Sequence, residues 1–347
     1  MHALIGHEGT VAALQRIAEE ERPAHAYLFS GRQGIGKRLV AIKFACLLNC
    51  PDPVDDSDHT CPVCRRICEG KHPDVIIESP VKGRIRIEAI RNLQGWLKYA
   101  PVEARYRICL INDAHLMNHQ AQNALLKTLE EPPPARLMLL VSAKPARLLP
   151  TVRSRCRQVR FRPIPNHEMA DYLVEREGLE MDKALAVASM SGGSIGMADE
   201  IERWDRTGLR EKVFSIFEDP GRNGISGLLS LSAGICKDRQ TASAALEIAS
   251  TYARDMSIVN LGLEFSHVIN TDLLDRITNT AQHHSCEALT LVYDELAGAS
   301  QMMEADINVN ASLLVDLTLL RITRILAGPS LGLLRADGTE ETNNERR

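Results

Sequence analysis

Short apolar runs alternate with amphipathic segments between residues 26 and 163. Continuous apolar runs of this length are typical of strands that are buried on both faces of a parallel sheet. The predicted strands are "AYLFS" (26–30), "DVIIE" (74–78), "RICLI" (107–111), "LMLLVS" (137–142) and "VRF" (159–161). Helical periodicity predicts helices over 37–49, 86–99 and 118–131. The pattern therefore indicates an α/β domain with a parallel sheet.

Helical periodicity dominates after the proline-rich segment "FRPIPNH" (161–167). Residues 168–216 form a predicted small helical unit, and "DPGRNG" (219–224) is a candidate linker. Longer helices are predicted over 239–262, 287–304 and 308–327; in the last, Leu313, Leu317 and Leu320 share one face. We expect an α/β plus all-α protein with domains at 1–165, 166–218 and 219–330 and a flexible polar tail at 331–347.

Composition and charge exclude several classes of protein. The 347 residues are 44% hydrophobic and 25% charged, which is typical of folded globular chains. A net charge of -4 excludes DNA binding through bulk positive charge, so any contact with nucleic acid must be local. The sequence has no apolar stretch of about 18 residues and no secretion signal. We therefore expect a soluble, cytoplasmic protein without a membrane partner.

The segment "GRQGIGKRLV" (31–40) is similar to the phosphate-binding loop G-x-x-x-x-G-K-[ST]. Gly31, Gly34 and Gly36 let backbone N–H groups surround phosphates, and Lys37 reaches the outer phosphates. The loop lies between a predicted strand and a predicted helix, whose N-terminus favours anions. Arg38 replaces the hydroxyl residue that holds Mg²⁺. A glycine turn that serves helix packing alone is the alternative interpretation.

The segment "ICLINDAH" (108–115) ends a predicted strand where nucleotide hydrolases carry two carboxylates. Asn112 occupies the metal-holding position and Asp113 the position that orients water. Because an amide lacks the charge that Mg²⁺ sites use, Asn112 and Arg38 both remove ligands from one metal. We expect weak ATP or ADP binding, no Mg²⁺ and little or no ATPase activity. The alternative is a strand that runs into a capped turn without catalysis.

The segment "LLPTVRSRC" (148–156) carries Arg155 in a Ser-Arg-Cys triplet before the last predicted strand. An arginine at a domain edge can project into a neighbouring subunit's site and stabilise charge on a transferring phosphoryl group. The alternative is an ordinary solvated arginine among Arg153, Arg157 and Arg160.

Four segments together carry a family resemblance: "HAYLFSGRQGIGK" (25–37), "NALLKTLEEPP" (123–133), "LLPTVRSRC", and a cysteine-rich segment followed by "HPDV" (72–75). Through them the chain resembles the bacterial sliding-clamp loader subunits of DNA polymerase III, in the AAA+ superfamily. The resemblance is dense over residues 1–165. It implies a RecA-like P-loop domain, a small helical lid and a C-terminal helical collar through which five subunits form an open ring.

The resemblance also implies a role within the polymerase holoenzyme. The chain is most similar to the subunit that acts as a rigid stator while the sliding clamp is loaded on primed DNA. This implies that Arg155 is an arginine finger given in trans. The implied partners are the gamma or tau and delta subunits, the sliding clamp (beta) and primed DNA.

Two further positions follow from the resemblance. Gly196 in "GGSIGMA" (192–198) replaces the arginine with which an active lid reaches its own nucleotide. Ser142 falls near the family's polar sensor at the end of the fourth strand. The rival hypotheses are a catalytically active gamma- or tau-like ATPase and a zinc-dependent nucleic-acid-binding module.

The insert 50–68 contains a C-x-x-C pair and two further cysteines. Cys50, Cys61 and Cys64 are predicted ligands of a structural zinc ion, because zinc is held by four Cys or His ligands at such spacings. The family's pattern puts its second ligand at Asp58, and the fourth ligand is Asp58, His59 or Cys68. We favour Cys68, since thiolate suits zinc and the residue shares a helical face with Cys64.

Two minor predictions complete the sequence analysis. The other cysteines are interpreted as isolated core residues: Cys46, Cys109, Cys156, Cys236 and Cys286. Some of the insert's cysteines are alternatively buried and inert. The segment "VKGRIRIEAIR" (81–91) carries four basic residues, Lys82, Arg84, Arg86 and Arg91. They form either a solvated strand edge, which we favour, or a set of contacts to DNA phosphates.

Overall fold

A five-stranded parallel sheet forms the centre of the N-terminal part of the molecule. The structure is a computed structural model that describes residues 5–51, 61–220, 224–236, 238–304 and 310–327. The strands are β1 (Ala26–Ser30), β2 (Val75–Glu78), β3 (Arg107–Ile111), β4 (Arg136–Ser142) and β5 (Arg157–Arg160). Their order in the sheet is β2-β3-β4-β1-β5, and all neighbouring pairs are parallel. The predicted α/β class is confirmed.

Helices cover both faces of the sheet, which is why the strands read as continuous apolar runs. One face packs against α1 (Glu8–Glu19), α2 (Lys37–Asn49) and α3 (Pro62–Cys68). The other packs against α4 (Ile87–Leu97), α5 (His119–Glu130) and α6 (Pro150–Ser154). Residues of β4 alternate between the two cores, with Leu139 in the first and Leu140 in the second.

The last strand differs from its prediction, because β5 spans Arg157–Arg160 and Phe161 follows it. β5 is an edge strand with β1 as its neighbour, and most of its side chains are exposed. An edge strand does not need a continuous apolar sequence, so its polar first half, Arg157 and Gln158, was missed. The predicted helices 86–99 and 118–131 are each shorter at both ends, as α4 and α5.

The carboxylate of Asp74 fixes the entrance to β2. It is fully buried and accepts hydrogen bonds from the backbone N–H groups of Val102, Glu103 and Ala104 at 2.8–3.0 Å. The guanidinium of Arg107 lies 3.6 Å away. Burial by itself raises the pKa of Asp74, but the three N–H donors and Arg107 outweigh burial and hold the pKa below its usual value. The need for a buried acceptor of these N–H groups explains why the segment "HPDV" (72–75) contains an aspartate.

Residues beyond the sheet are helical. The next helices are α7 (Asn166–Glu177), α8 (Met181–Ser191) and α9 (Ile195–Arg206). The chain divides into two compact units, Met1–Asp199 and Glu200–Arg347. The finer division at 165 and 218 stays a prediction. None of the helices in the described ranges is both long and apolar enough to cross a membrane.

The second unit is built from helices. They are α10 (Leu209–Glu218), α11 (Gly224–Ile235), α12 (Arg239–Asn260), α13 (Leu274–Ala281), α14 (Cys286–Glu304) and α15 (Ala311–Ala327). Buried Arg210 donates to Asp272 at 3.0 Å and to Asn270 at 3.1 Å. The predicted helices 239–262, 287–304 and 308–327 correspond to α12, α14 and α15.

The predicted leucine face of α15 points away from the core. Leu313 and Leu317 are 55% and 46% exposed, whereas Val315, Leu319 and Ile322 are buried. The predicted linker 219–224 is described in part, because residues 221–223 lie outside the described ranges. The predicted tail 331–347 also lies outside them.

Replacing Asp74 by Asn should lower the free energy of unfolding at pH 7 by about 2–4 kcal/mol, because an amide leaves buried donors without a charged acceptor. Since the folded-state pKa of Asp74 is lowered, the wild-type advantage exists above about pH 4 and shrinks as the pH falls further. Urea denaturation at pH 7 and pH 3 measures both effects. Asp171→Asn, at an exposed position of α7, is the control. Equal stability of the two variants at pH 7 would refute the role of Asp74.

Candidate functional site

The predicted phosphate loop connects β1 to α2 and depends on its glycines. Gly31, Gly34 and Gly36 have φ angles of 155°, 74° and 99°. These values disfavour any residue with a Cβ atom. A Cβ at Gly31 would lie 2.7 Å from the carbonyl oxygen of Phe161, and one at Gly34 would lie 2.5 Å from Ser194 Oγ. Both conformation and space therefore require glycine here.

Lys37 begins α2 with its side chain buried beneath the loop. Its Nζ donates hydrogen bonds to the carbonyl oxygen of Gly31 at 2.7 Å and to that of Arg32. Burial lowers the pKa of Lys37 to about 8, although the nearby charge of Asp113 opposes the shift. The ammonium group is thus fixed against the carbonyl groups of the loop.

The remaining predicted residues meet the loop at one edge of the sheet, because the carboxyl ends of parallel strands lie together. Asn112 and Asp113 follow β3, and Ser142 ends β4, where it pairs in register with Ser30 of β1. Ser142 is fully buried, and its hydroxyl has no hydrogen-bond partner among the described residues. A cavity of about 350 Å³ at this edge is lined by Lys37, Arg38, Asn112 and Asp113 but not by Ser142.

The side chains at the expected metal position do not fit Mg²⁺. Arg38 is exposed and presents a cation where a hydroxyl oxygen would bind the ion. The Nδ2 of Asn112 donates to Asp113 Oδ2 at 3.0 Å, so the amide is tied to the neighbouring carboxylate. Neither Arg38 nor Asn112 supplies a charged oxygen ligand.

The start of α9 lies directly on the phosphate loop. Ser194 Oγ donates to the carbonyl oxygen of Gln33 at 2.8 Å, and the N–H of Gly196 donates to that of Gly34 at 3.0 Å. A Cβ at Gly196 would lie 2.9 Å from Gly34 Cα. Gly196 is the position at which the resemblance implied a lost arginine. A glycine is needed there because the backbone of Gly34 lies so close.

Two histidines near the loop were not predicted. Buried His7 makes a hydrogen bond through Nε2 with the carbonyl oxygen of Ile35, at 2.8 Å. His115 is half-buried, and burial lowers its pKa. His115 could have been found from the sequence, because it lies two residues after Asp113. His7 could not, because its contact with the loop joins segments that are distant in the sequence.

Arg155 lies at the opposite edge of the sheet, because it precedes β5 rather than following it. Its Nη2 makes an ion pair with Glu130 Oε1 at 2.7 Å, and its Nη1 donates to the carbonyl oxygen of Thr151 at 3.0 Å. The side chain is 36% exposed. Glu130 belongs to "NALLKTLEEPP", so the two most specific motifs of the sequence are in contact.

Three of the four predicted metal ligands come together. The sulfur atoms of Cys50, Cys61 and Cys64 lie within 4.8 Å of one another, and this thiol cluster could hold a metal ion. Cys50 caps α2 and Cys61 caps α3, whose packing brings the thiols together. The pKa of the Cys61 thiol is lowered, chiefly by a hydrogen bond from the backbone N–H of Cys64. Burial raises the pKa of the Cys64 thiol to about 12.

Cys68 is not among the three residues whose sulfur atoms cluster, and its assignment as the fourth ligand stays a prediction. It is partly buried at the end of α3, against the same core as Cys46 of α2. Interaction with the Cys46 thiol lowers the pKa of Cys68 to about 7. Cys46 is therefore not isolated. The alternatives Asp58 and His59 lie outside the described residues.

The basic segment forms a tight turn in which Val81 pairs with Arg84, with positive φ angles of 51° at Lys82 and 73° at Gly83. Lys82, Arg84, Arg86 and Arg91 are all exposed. A solvated edge and a DNA contact both remain compatible with this arrangement.

The glycine loop between β1 and α2 and the parallel sheet order define an α/β domain with the architecture of P-loop proteins. Residues 6–165 match the family described as "DNA polymerase III, delta subunit". The chain is 28% identical to DNA polymerase III subunit delta' of Bacillus subtilis, over 84% of this chain and 89% of that protein. The chain is thus similar to DNA polymerase III subunits, over residues 6–165 in the family match and over most of its length in the match to delta'.

Other relatives are longer proteins. The match to Bacillus subtilis subunit tau is 32% identical over 58% of this chain and spans 37% of that relative. Among solved structures, a gamma subunit-related protein of Thermotoga maritima aligns over 91% of this chain and 99% of that one, with a TM-score of 0.43 and 18% identity.

Gly196→Ala should destabilise the protein by about 1–3 kcal/mol, since the added methyl group meets the backbone of Gly34. Gly95→Ala is the matched control, because Gly95 also lies in a helix and a Cβ there meets nothing within 4 Å. The control should gain about 0.5–1 kcal/mol from improved helix propensity. Thermal and urea unfolding measure the difference. Stabilisation of both variants would show that the contact is not tight.

Proposed function

We propose that the chain is the delta prime subunit of the DNA polymerase III clamp loader, a stator that helps to load the sliding clamp on primed DNA during replication in the cytoplasm. In this role it completes the ATP site of a neighbouring gamma or tau subunit through Arg155. The observation that carries the proposal is the position of Arg155, half-exposed and held by Glu130 at the sheet edge opposite the chain's own phosphate loop.

Strand direction supports a role in trans. Lys37 and Asp113 follow strands and lie at the carboxyl edge, whereas Arg155 precedes a strand and lies at the amino edge. A guanidinium at one edge cannot contact a phosphate bound at the other. If Arg155 stabilises a transferring phosphoryl group, that group therefore belongs to another subunit.

The chain's own loop supports loss of hydrolysis. Arg38 and Asn112 leave Mg²⁺ without its usual oxygen ligands, and loss of metal activation removes several kcal/mol of transition-state stabilisation. The alternative function is an active gamma- or tau-like ATPase. The well-placed Lys37 favours that alternative, and the replaced metal ligands disfavour it.

The proposed partners follow from the family and the surface. Relatives of this chain are named delta' and tau, which supports assembly with gamma or tau and delta subunits. The net charge of -4 restricts any contact with primed DNA to local groups such as Lys82 and Arg84. Contact with the sliding clamp is part of the proposed loading role.

The thiol cluster supports a structural zinc ion. Three sulfur ligands at this separation match the chemistry of structural zinc sites, which require one further ligand. Such an ion would tie the end of α2 to the start of α3 through Cys50, Cys61 and Cys64. No step of nucleotide chemistry depends on it.

Arg155→Ala should abolish hydrolysis at the adjacent site of a reconstituted ring, with a loss of about 1,000-fold in turnover there. Assembly should survive, because an exposed ion pair contributes about 1 kcal/mol or less. Phosphate release and size-exclusion chromatography measure the two effects. Arg160→Ala, an exposed arginine of β5, is the control. Normal hydrolysis in the Arg155 variant, or a failure to assemble, would contradict the proposed role.

Cys61→Ser should release the metal, whereas Cys68→Ser should retain it, because Cys68 lies outside the thiol cluster. Elemental analysis of purified full-length protein should find about one zinc per wild-type chain. Zinc loss from the Cys68 variant would restore Cys68 as a ligand. Absence of zinc from wild-type protein purified with zinc present would reject the site.

A further inference from the structure

We propose that Cys50 and Cys61 are a site of reversible oxidation: when the thiol cluster holds no metal, hydrogen peroxide converts them into a disulfide and leaves Cys64 as a thiol. The oxidised chain then cannot bind a metal ion at this place, because two of the three sulfur ligands are used. Formation of the disulfide does not depend on the proposed zinc ion. The competition between the disulfide and the metal rests on that ion.

The two sulfur atoms already lie close to bonding distance. The Sγ atoms of Cys50 and Cys61 are 3.5 Å apart, so a shift of about 1.5 Å brings them to the length of a disulfide. Cys50 follows the last residue of α2 and Cys61 precedes the first residue of α3, and both have extended backbone angles, with ψ of 128° and 126°. Rotations of the two side chains can supply the shift, because neither residue is held inside a helix.

Burial distinguishes these two thiols from the third thiol of the cluster. Cys50 and Cys61 are partly exposed. Cys64 is buried, with 7% of its surface exposed, and belongs to the first turn of α3. Because the oxidation of cysteine follows the exposure of the sulfur atom, an oxidant in solution reaches Cys50 and Cys61 more readily than Cys64.

A cavity gives a small oxidant access to Cys50. Its volume is about 510 Å³, and its lining includes Cys50, Val63, Arg66, His72 and Arg105. Hydrogen peroxide is polar and little larger than water, so a cavity of this size with polar side chains in its wall admits it. The cavity is a second observation, independent of the distance between the sulfur atoms, that favours oxidation here.

The reaction balances with hydrogen peroxide as its only co-reactant. One thiolate attacks an oxygen atom of the peroxide, the O–O bond breaks, and a sulfenic acid and hydroxide form. The second sulfur atom attacks the sulfenic sulfur, so the S–S bond forms and the S–O bond breaks with loss of a second hydroxide. The two thiol protons convert both hydroxides to water. The cysteines lose two electrons in total, and the peroxide gains them.

A bound zinc ion and the disulfide exclude each other. Zinc is held by thiolates, and it uses the same sulfur lone pairs that attack the oxidant, so a metal ion protects the cysteines. A disulfide contains no thiolate, so the oxidised pair cannot hold the ion. The proposed cytoplasmic location supplies thiol reductants that reverse disulfides, which makes this oxidation a reversible modification instead of a permanent crosslink.

Mass spectrometry of the full-length chain tests the proposal. The protein is freed of metal with a chelator or loaded with zinc, and each sample is then treated with hydrogen peroxide. The metal-free chain should lose the mass of two hydrogen atoms. Cleavage by trypsin and at aspartate should yield a linked pair of peptides, since Asp52 lies between Cys50 and Cys61 in the sequence. The zinc-loaded chain should react at least about tenfold more slowly, and dithiothreitol should restore zinc binding to the oxidised chain.

Serine variants identify the oxidised pair. Cys50→Ser and Cys61→Ser should each form no disulfide, whereas Cys64→Ser should still form it, because the buried thiol takes no part. Cys286→Ser, at a partly exposed cysteine of the second unit, is the matched control and should be oxidised as wild type is. Thermal melts establish that the variants are folded, and the peptide map of the wild-type chain identifies the linked segments without any substitution.

An unchanged mass of the metal-free chain after peroxide treatment, or a disulfide that persists in Cys50→Ser, would overturn the proposal. Oxidation at an equal rate with zinc bound would overturn the competition with the metal. Elemental analysis separates these results from failure of the proposed zinc site. A chain that binds no zinc and yet joins Cys50 to Cys61 would reject the zinc ion and support the oxidation.

Discussion

The shared direction of the five strands is the constraint on which both halves of the site depend. Because every strand ends at the same edge, the phosphate loop, Asn112, Asp113 and Ser142 meet without any special local sequence. The same constraint separates Arg155 from them, because it precedes its strand. In the proposed role, the chain therefore carries two parts of a phosphoryl-transfer site that it cannot use together, and an assembly of several chains would combine them.

The predicted phosphate loop keeps its glycines and its lysine, but two positions of the predicted metal site differ from the usual pattern. The glycines and Lys37 keep the shape of the loop, while Arg38 and Asn112 change the charge at the metal position. Gly196, where the resemblance implied an arginine in active subunits, makes a backbone contact with Gly34. Contacts from the protein itself therefore hold the loop.

Much of this structure follows from local sequence patterns. Strands β1 and β3 were predicted at their observed ends, since buried strands have a continuous apolar sequence. The position of Cys68 outside the thiol cluster and the ion pair of Arg155 with Glu130 were not predicted, because each depends on how helices pack against one another. The sequence pattern placed Leu313, Leu317 and Leu320 on one face of α15 without indicating whether that face is buried. Periodicity identifies a common face, but the neighbouring helices decide which face is buried.

The central claim is that this polypeptide cannot hydrolyse ATP by itself although its phosphate loop is intact. Single-turnover release of phosphate from radiolabelled ATP, with the purified chain in excess and Mg²⁺ present, tests it most directly. We expect release at the rate of the buffer blank. A faster release that disappears in a Lys37→Ala variant would contradict the account, since it would locate metal-dependent catalysis in this chain's own loop.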